Sequence, residues 1–142
     1  MANEAVIIEL LGSPPGEPIQ MTVANATSIS GGTLMVLSDP RTAAASTATT
    51  LGTAKFAGIL AHDKLANDGS TTAAVYTNGI FDLTSVTTVG AESAIAVGDY
   101  VVMSGANTIK TGSGTCVVSG AAIGYALETA GSAEVIAVRV KI

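Results

Sequence analysis

Val135-Ile-Ala-Val-Arg-Val-Lys-Ile142 alternates with a period of two: Ile136, Val138, Val140 and Ile142 fall on one face, and Val135, Ala137, Arg139 and Lys141 on the other. Successive side chains of a strand point to opposite faces, so this stretch reads as a core strand whose second face ends in water. Working outward, Tyr100-Val-Val-Met103 and Ile123-Gly-Tyr-Ala-Leu127 are apolar runs of strand length, bounded by Gly105-Ala-Asn107, Gly112-Ser-Gly114 and Gly131-Ser132. Further back, Met21-Thr-Val-Ala24, Thr33-Leu-Met-Val-Leu37, Lys55-Phe-Ala-Gly-Ile-Leu60, Ala73-Ala-Val-Tyr-Thr77 and Ile80-Phe-Asp-Leu83 continue the pattern between Gly- and Asn-rich breaks. The chain reads as all-β. Asn78-Gly79 predicts a two-residue hairpin, since both residues tolerate positive φ. Asp39 to Ser46 fits the opening of a short helix with Asp39 as cap, while the Ala/Ser/Thr run to Thr53 fits a loop equally well, and the loop is preferred.

An internal correspondence narrows the fold class. Ile29-Ser-Gly-Gly32-Thr-Leu-Met-Val-Leu-Ser38 aligns without gaps on Ile95-Ala-Val-Gly98-Asp-Tyr-Val-Val-Met-Ser104, an offset of 66 residues. At the same offset Gly58 falls opposite Gly124, and Gly69-Ser70 is echoed by Gly131-Ser132 at 62. Two pseudo-repeated β-units closing into one small β-barrel or sandwich-like domain would produce these matches, and so would chance in a Gly/Ala/Val-rich β-protein.

Composition limits what such a domain can do. The 142 residues include 17 charged side chains (6 + 11), or 12%, against 48% hydrophobic residues. Soluble domains usually carry about 25% charge, so the surface is expected to be covered by partners. Gly, Ser and Thr interrupt every apolar run well short of the roughly 18 to 20 residues that span a bilayer, so no membrane partner is expected. The six Lys and Arg are scattered in a chain of net charge −5, which argues against nucleic acid. Glu4 and Glu9 stand where a secretion signal would be basic, so an unprocessed chain is expected. The lone Cys116 allows no internal disulfide.

Residues 1–19 read as an N-terminal arm with a Pro/Gly hinge, and residues 20–142 as a single β-domain. Val6-Ile-Ile-Glu-Leu-Leu11 is apolar, but Gly12-Ser-Pro-Pro-Gly16-Glu-Pro18 can form neither helix nor central strand. Burying a large apolar side chain gains about 1.5–3 kcal/mol, and ordering a residue costs about 1–2 kcal/mol. The arm therefore orders only against something else: a neighbour's sheet, or the edge of its own. Val6, Ile7, Ile8, Leu10 and Leu11 are the expected partner-binding residues. Glu4, Glu9, Glu17 and Asp39 make this leading part acidic, a hint of a basic partner.

Reactive chemistry is sparse. His62-Asp63 has no nucleophile and orienter around it in the pattern, so His62 reads as a loop residue and no catalytic residue is assigned. Cys116 lacks a cationic neighbour and reads as a buried, inert thiol. Zinc would need several Cys or His, and the positions two and four before Asp68 are Lys64 and Ala66, which breaks a calcium ladder. No metal or cofactor is expected. Asn67-Asp-Gly69 reads as a turn and Gly112-Ser-Gly-Thr115 as a loop tip, without the Gly-Lys ending of a phosphate cradle. Tyr76, Phe81, Tyr100 and Tyr125 read as core. Arg139 and Lys141 fit an interface patch or protective edge charges.

Gly32-Thr-Leu-Met-Val-Leu-Ser-Asp-Pro40, Phe56-Ala-Gly-Ile-Leu-Ala61, Asp68-Gly-Ser-Thr-Thr72, Val75-Tyr-Thr-Asn-Gly-Ile-Phe-Asp-Leu83, Val97-Gly-Asp-Tyr-Val101 and Ile123-Gly-Tyr-Ala-Leu-Glu128 appear in an order that resembles the capsid decoration, or cement, proteins of tailed viruses. The resemblance covers most of residues 20 to 142. It implies a β-barrel or β-tulip fold, a homotrimer, and a place on the outer surface of the virion, bound to the major capsid protein after synthesis in the host cytoplasm. It carries no active site. The function expected from it is cementing the mature shell; the alternative is a carbohydrate- or cell-surface-binding β-module.

Overall fold

The structure is a computed structural model that describes residues 3–9, 18–86 and 94–141. Its elements in chain order are β1 (Val6–Glu9), β2 (Ile19–Thr22), β3 (Leu34–Ser38), β4 (Thr42–Ala45), β5 (Phe56–Leu60), β6 (Thr72–Tyr76), β7 (Asn78–Ser85), β8 (Tyr100–Met103), β9 (Thr108–Thr111), α1 (Cys116–Ser119), β10 (Ala122–Ala126) and β11 (Val135–Lys141). Strands β2-β4-β3-β5-β6 close into one barrel. Strands β7-β11-β10-β8-β9 close into a second through the parallel pairing of β7 with β9, and β1 lies outside it on β7.

Both barrels use one pairing scheme. The first strand runs parallel to the third, at Thr22↔Thr42 and Thr84↔Thr108, and antiparallel to the fifth. The second strand pairs antiparallel with the third and fourth, and the fourth with the fifth. The 66-residue offset reaches into detail. Isolated bridges join Ile29 to Lys64 and Ile95 to Ala130. Gly32 and Gly98 sit at φ 89° and 90°, and their N–H groups donate to Leu60 O at 2.7 Å and Ala126 O at 2.8 Å. The repeat is thus a duplicated unit, with one difference from the expectation. Each unit closes on itself instead of supplying half of a single barrel, through the parallel pairing of its own first and third strands.

What joins the barrels is a common core. Leu34, Phe56 and Ile59 of the first barrel pack in one cluster with Phe81, Leu83, Val101, Met103 and Ile109 of the second. A smaller cluster of Met21, Val23, Met35 and Val75 fills the first barrel alone. Asn107, buried at the β8–β9 turn with φ 55°, ties the halves through its side chain. Its Oδ1 accepts from Leu34 N at 2.9 Å and its own N–H donates to Ser46 Oγ at 3.0 Å. Asn107→Ala would leave the buried Leu34 N–H without that acceptor. The expected loss is about 1–3 kcal/mol, read as a lower urea midpoint at unchanged slope.

Several local expectations change. Asn78 and Gly79 make no hairpin; they are the first residues of β7 and pair with Lys141 and Val140. The flanking runs belong to different barrels, so the chain passes straight on. Thr42–Ala45, expected as loop, is β4, because the Asp39–Pro40–Arg41 turn returns it along β3 with Leu37 opposite Ala43. Thr108–Thr111 and the single-turn helix over Cys116–Ser119 were not anticipated; Gly120 at φ 80° caps that turn by donating to Cys116 O and Val117 O. Val6–Glu9, one half of an open choice, pairs antiparallel with β7 of its own chain at Val6↔Asp82 and Ile7↔Phe81.

Candidate functional site

Ala5 fixes the start of β1. It is buried, its N–H donates to Gly32 O at 2.6 Å, and a Cβ on Gly32 would stand 2.5 Å from Ala5 O. Only glycine lets the two backbones approach so closely. Beyond Ala5 the strand turns outward: Val6, Ile7 and Ile8 are 59%, 43% and 52% exposed. A register shift between Ile7 and Glu9 accompanies this double-sided exposure. Leu10 and Leu11, the other two expected partner-binding residues, lie outside the described residues.

A second surface was not anticipated. Tyr100 and Tyr125 are both exposed and meet edge to face, with ring centroids 6.3 Å apart. Of the four aromatics expected in the core, only Phe81 is fully buried, while Tyr76 is half-buried against the shared cluster. The repeat gave no signal for this: Tyr100 occupies the position of Leu34, which is fully buried in the first barrel. Beside Tyr100 runs a groove lined by Leu37, Lys55, Phe56, Val117 and Lys141. It continues past Leu37 and Lys55 to Met21, Asp39 and Arg41. Lys55 Nζ donates to Ser119 O, which holds the start of β5 against the helical turn. Val118, next to the groove residue Val117, is 91% exposed.

At the other end of β5 the loop 62–70 is organised around a buried lysine. Lys64 Nζ donates to Asn25 O at 3.0 Å, Thr27 O at 3.3 Å and Leu65 O at 3.1 Å, and lies 3.5 Å from Asp68 Oδ1. Its charge is thereby turned inward, and the outer face of the loop shows Asp63, Leu65 and Asp68. Ser70 N, donating to Asp68 Oδ1 at 2.8 Å, is the main cause that lowers the Asp68 carboxyl below its ordinary pKa. Lys64 adds to it against the opposing effect of desolvation. A carboxyl lowered in the folded state stabilises it above the ordinary carboxylate pKa, and the contribution is lost as pH falls through the lowered value.

Chemistry beyond contact is thin. His62 is exposed in this loop, and Cys116, the first residue of α1, is buried. Among the described residues no group of three or more His, Cys, Asp or Glu is placed to hold a metal ion, and no helix is long and apolar enough to cross a membrane. What the arrangement offers is apolar area framed by charge.

A family model described as phage cement protein matches residues 13–142. No curated protein matches the chain.

Proposed function

The chain belongs to the phage cement protein family, whose role is structural, in the phage capsid, and from that premise we propose that it binds the outer surface of the shell as a homotrimer and cements the mature head. The mechanism needs no turnover. A protein that binds the assembled, expanded shell and not its separated subunits stabilises that shell by mass action. Three linked docking sites raise avidity with no strong single contact. The major capsid protein is the partner, and the exposed apolar residues Val6, Ile7 and Ile8 of β1, continued by Leu10 and Leu11, are the arm that reaches it.

The observation that supports this role for β1 is the exposure of three consecutive large apolar side chains on a strand whose start is anchored at Ala5. An uncovered apolar edge strand invites pairing with another chain, and folded proteins normally protect it. The test is the triple variant Val6→Thr, Ile7→Thr and Ile8→Thr, which keeps strand-forming side chains and leaves Ala5 in place. Binding to purified expanded capsids, followed by co-sedimentation, should weaken at least tenfold while the thermal unfolding temperature moves by only a few degrees. Unchanged binding would remove β1 from the docking surface.

A further inference from the structure

Comparing the two halves at the 66-residue offset separates what the fold requires from what it does not. Where the first barrel has Leu65, 67% exposed, the second has Gly131. Where the second has the exposed Tyr100 the first has buried Leu34, and where the first has the exposed Leu37 the second has buried Met103. Leu65 is therefore an apolar surface residue that the barrel itself does not call for, and Tyr100 and Leu37 are exposed where their apolar counterparts are buried. They form two complementary features. The loop 62–68 is an apolar knob, Leu65, flanked by the exposed carboxylates of Asp63 and Asp68, with Lys64 withdrawn into the interior; each carboxylate accepts through Oδ1 within its own chain, from Gly31 N at 2.7 Å and Ser70 N at 2.8 Å, Asp68 Oδ1 also lying 3.5 Å from Lys64 Nζ. The groove of Leu37, Phe56, Tyr100 and Val117 is an apolar slot rimmed by Lys55 and Lys141, with Arg41 and one carboxylate, Asp39, on its extension.

We propose that the acidic Leu65 knob of one copy docks in the cationic groove of a second copy, head to tail. The two features cannot meet within one copy: the groove holds Phe56 at the start of β5, the knob follows Leu60 at its end, and the strand alone separates them by about 13 Å. Charge complementarity selects the occupant. Half of the six Lys and Arg, in a chain of net charge −5, border this groove, and the carboxylates of a second copy answer them. A knob and groove on different ends make a heterologous contact, which closes into a ring when the rotation allows. This inference rests on the homotrimer reading: three such contacts would close the trimer, and each would bury Leu65, Leu37 and Tyr100.

The test is sedimentation velocity with charge exchange. The native chain should sediment at three times 14.0 kDa. Leu65→Lys, at an exposed position, places a cation on the knob and should weaken association at least tenfold, as should Lys55→Glu with Lys141→Glu. Combining all three substitutions in one chain should restore a large part of the association, which generic damage to folding would not do. A second measurement is independent of affinity: Leu65→Cys with Val117→Cys should give disulfide-linked multimers under mild oxidation, whereas Val135→Cys with Val117→Cys should not. A trimer unmoved by Leu65→Lys, with no cross-link, overturns the docking and leaves the homotrimer standing. A native chain that sediments as a monomer yet still binds capsids overturns the homotrimer and the docking with it.

Discussion

Gly124→Ala should be among the most damaging single substitutions in the chain, costing about 3 kcal/mol or more and lowering the unfolding temperature by on the order of 10 °C. A Cβ at this position would lie 1.8 Å from Arg139 O, 2.8 Å from Arg139 C and 3.0 Å from Val140 Cα, all backbone atoms of the adjacent β11. No rotamer change relieves such a clash. Gly124 also sits in the register shift of β10 against β8, between two paired neighbours, so the strand cannot swing away. Gly58, its counterpart in the first barrel, should behave alike. Its Cβ would meet Tyr76 O at 2.8 Å and its φ of 143° strains any other residue. Gly114→Ala is the control: nothing lies within 4 Å, and the change should stay within about 0.5 kcal/mol. Thermal and urea unfolding of the three variants decide the matter, and a Gly124→Ala protein as stable as the control would refute the close packing of β10 on β11.

Phe81→Ala should cost about 3–5 kcal/mol, the range for removing a fully buried aromatic. Phe81 is 0% exposed, faces the shared cluster from β7, and lies with its ring 6.0 Å from that of Tyr76 at the end of the first barrel. Because Leu34, Phe56 and Ile59 belong to the same cluster, the loss should not be confined to the second barrel. Far-ultraviolet circular dichroism and tyrosine fluorescence should report one coincident transition at lower denaturant. Two separated transitions would show that the barrels are independent domains and that their common core contributes little.

How far the sequence carried the fold depends on where burial produced a pattern. β11 alternates cleanly, and Ile136, Val138 and Val140 are all buried as its period of two requires. β3, β5, β8 and β10 announced themselves as apolar runs between glycines, and the glycines themselves carried the repeat. β4 and β9 did not. Thr-Ala-Ala-Ala and Thr-Ile-Lys-Thr each bury one side chain, and they become strands through the partners supplied by β3 and β8. Asn78-Gly79 misled because a local turn signal says nothing about which barrel the next strand will join. On the candidate docking surface, Val6, Ile7 and Ile8 were legible as apolar residues without local partners, and their place beside β7 was one of two open choices. The groove was not legible, because Leu37 and Tyr100 look like core residues in any single strand, and their counterparts in the other half, Met103 and Leu34, are indeed buried. Lys64 gave no sign that its charge would turn inward, since two of the three carbonyl groups that receive it, those of Asn25 and Thr27, come from a segment brought beside it only in the folded chain.

Strands β1 and β11 flank β7 and both run antiparallel to it, so they run parallel to each other. The start of β1 at Val6 and the end of β11 at Lys141 consequently lie toward opposite ends of the same sheet, level with Asp82 and Asn78 of β7 and about 13 Å apart by strand rise. Were β1 to dock on the shell as proposed, that polarity would make the N-terminal side the tether and the C-terminal side the display point for cargo on a phage head.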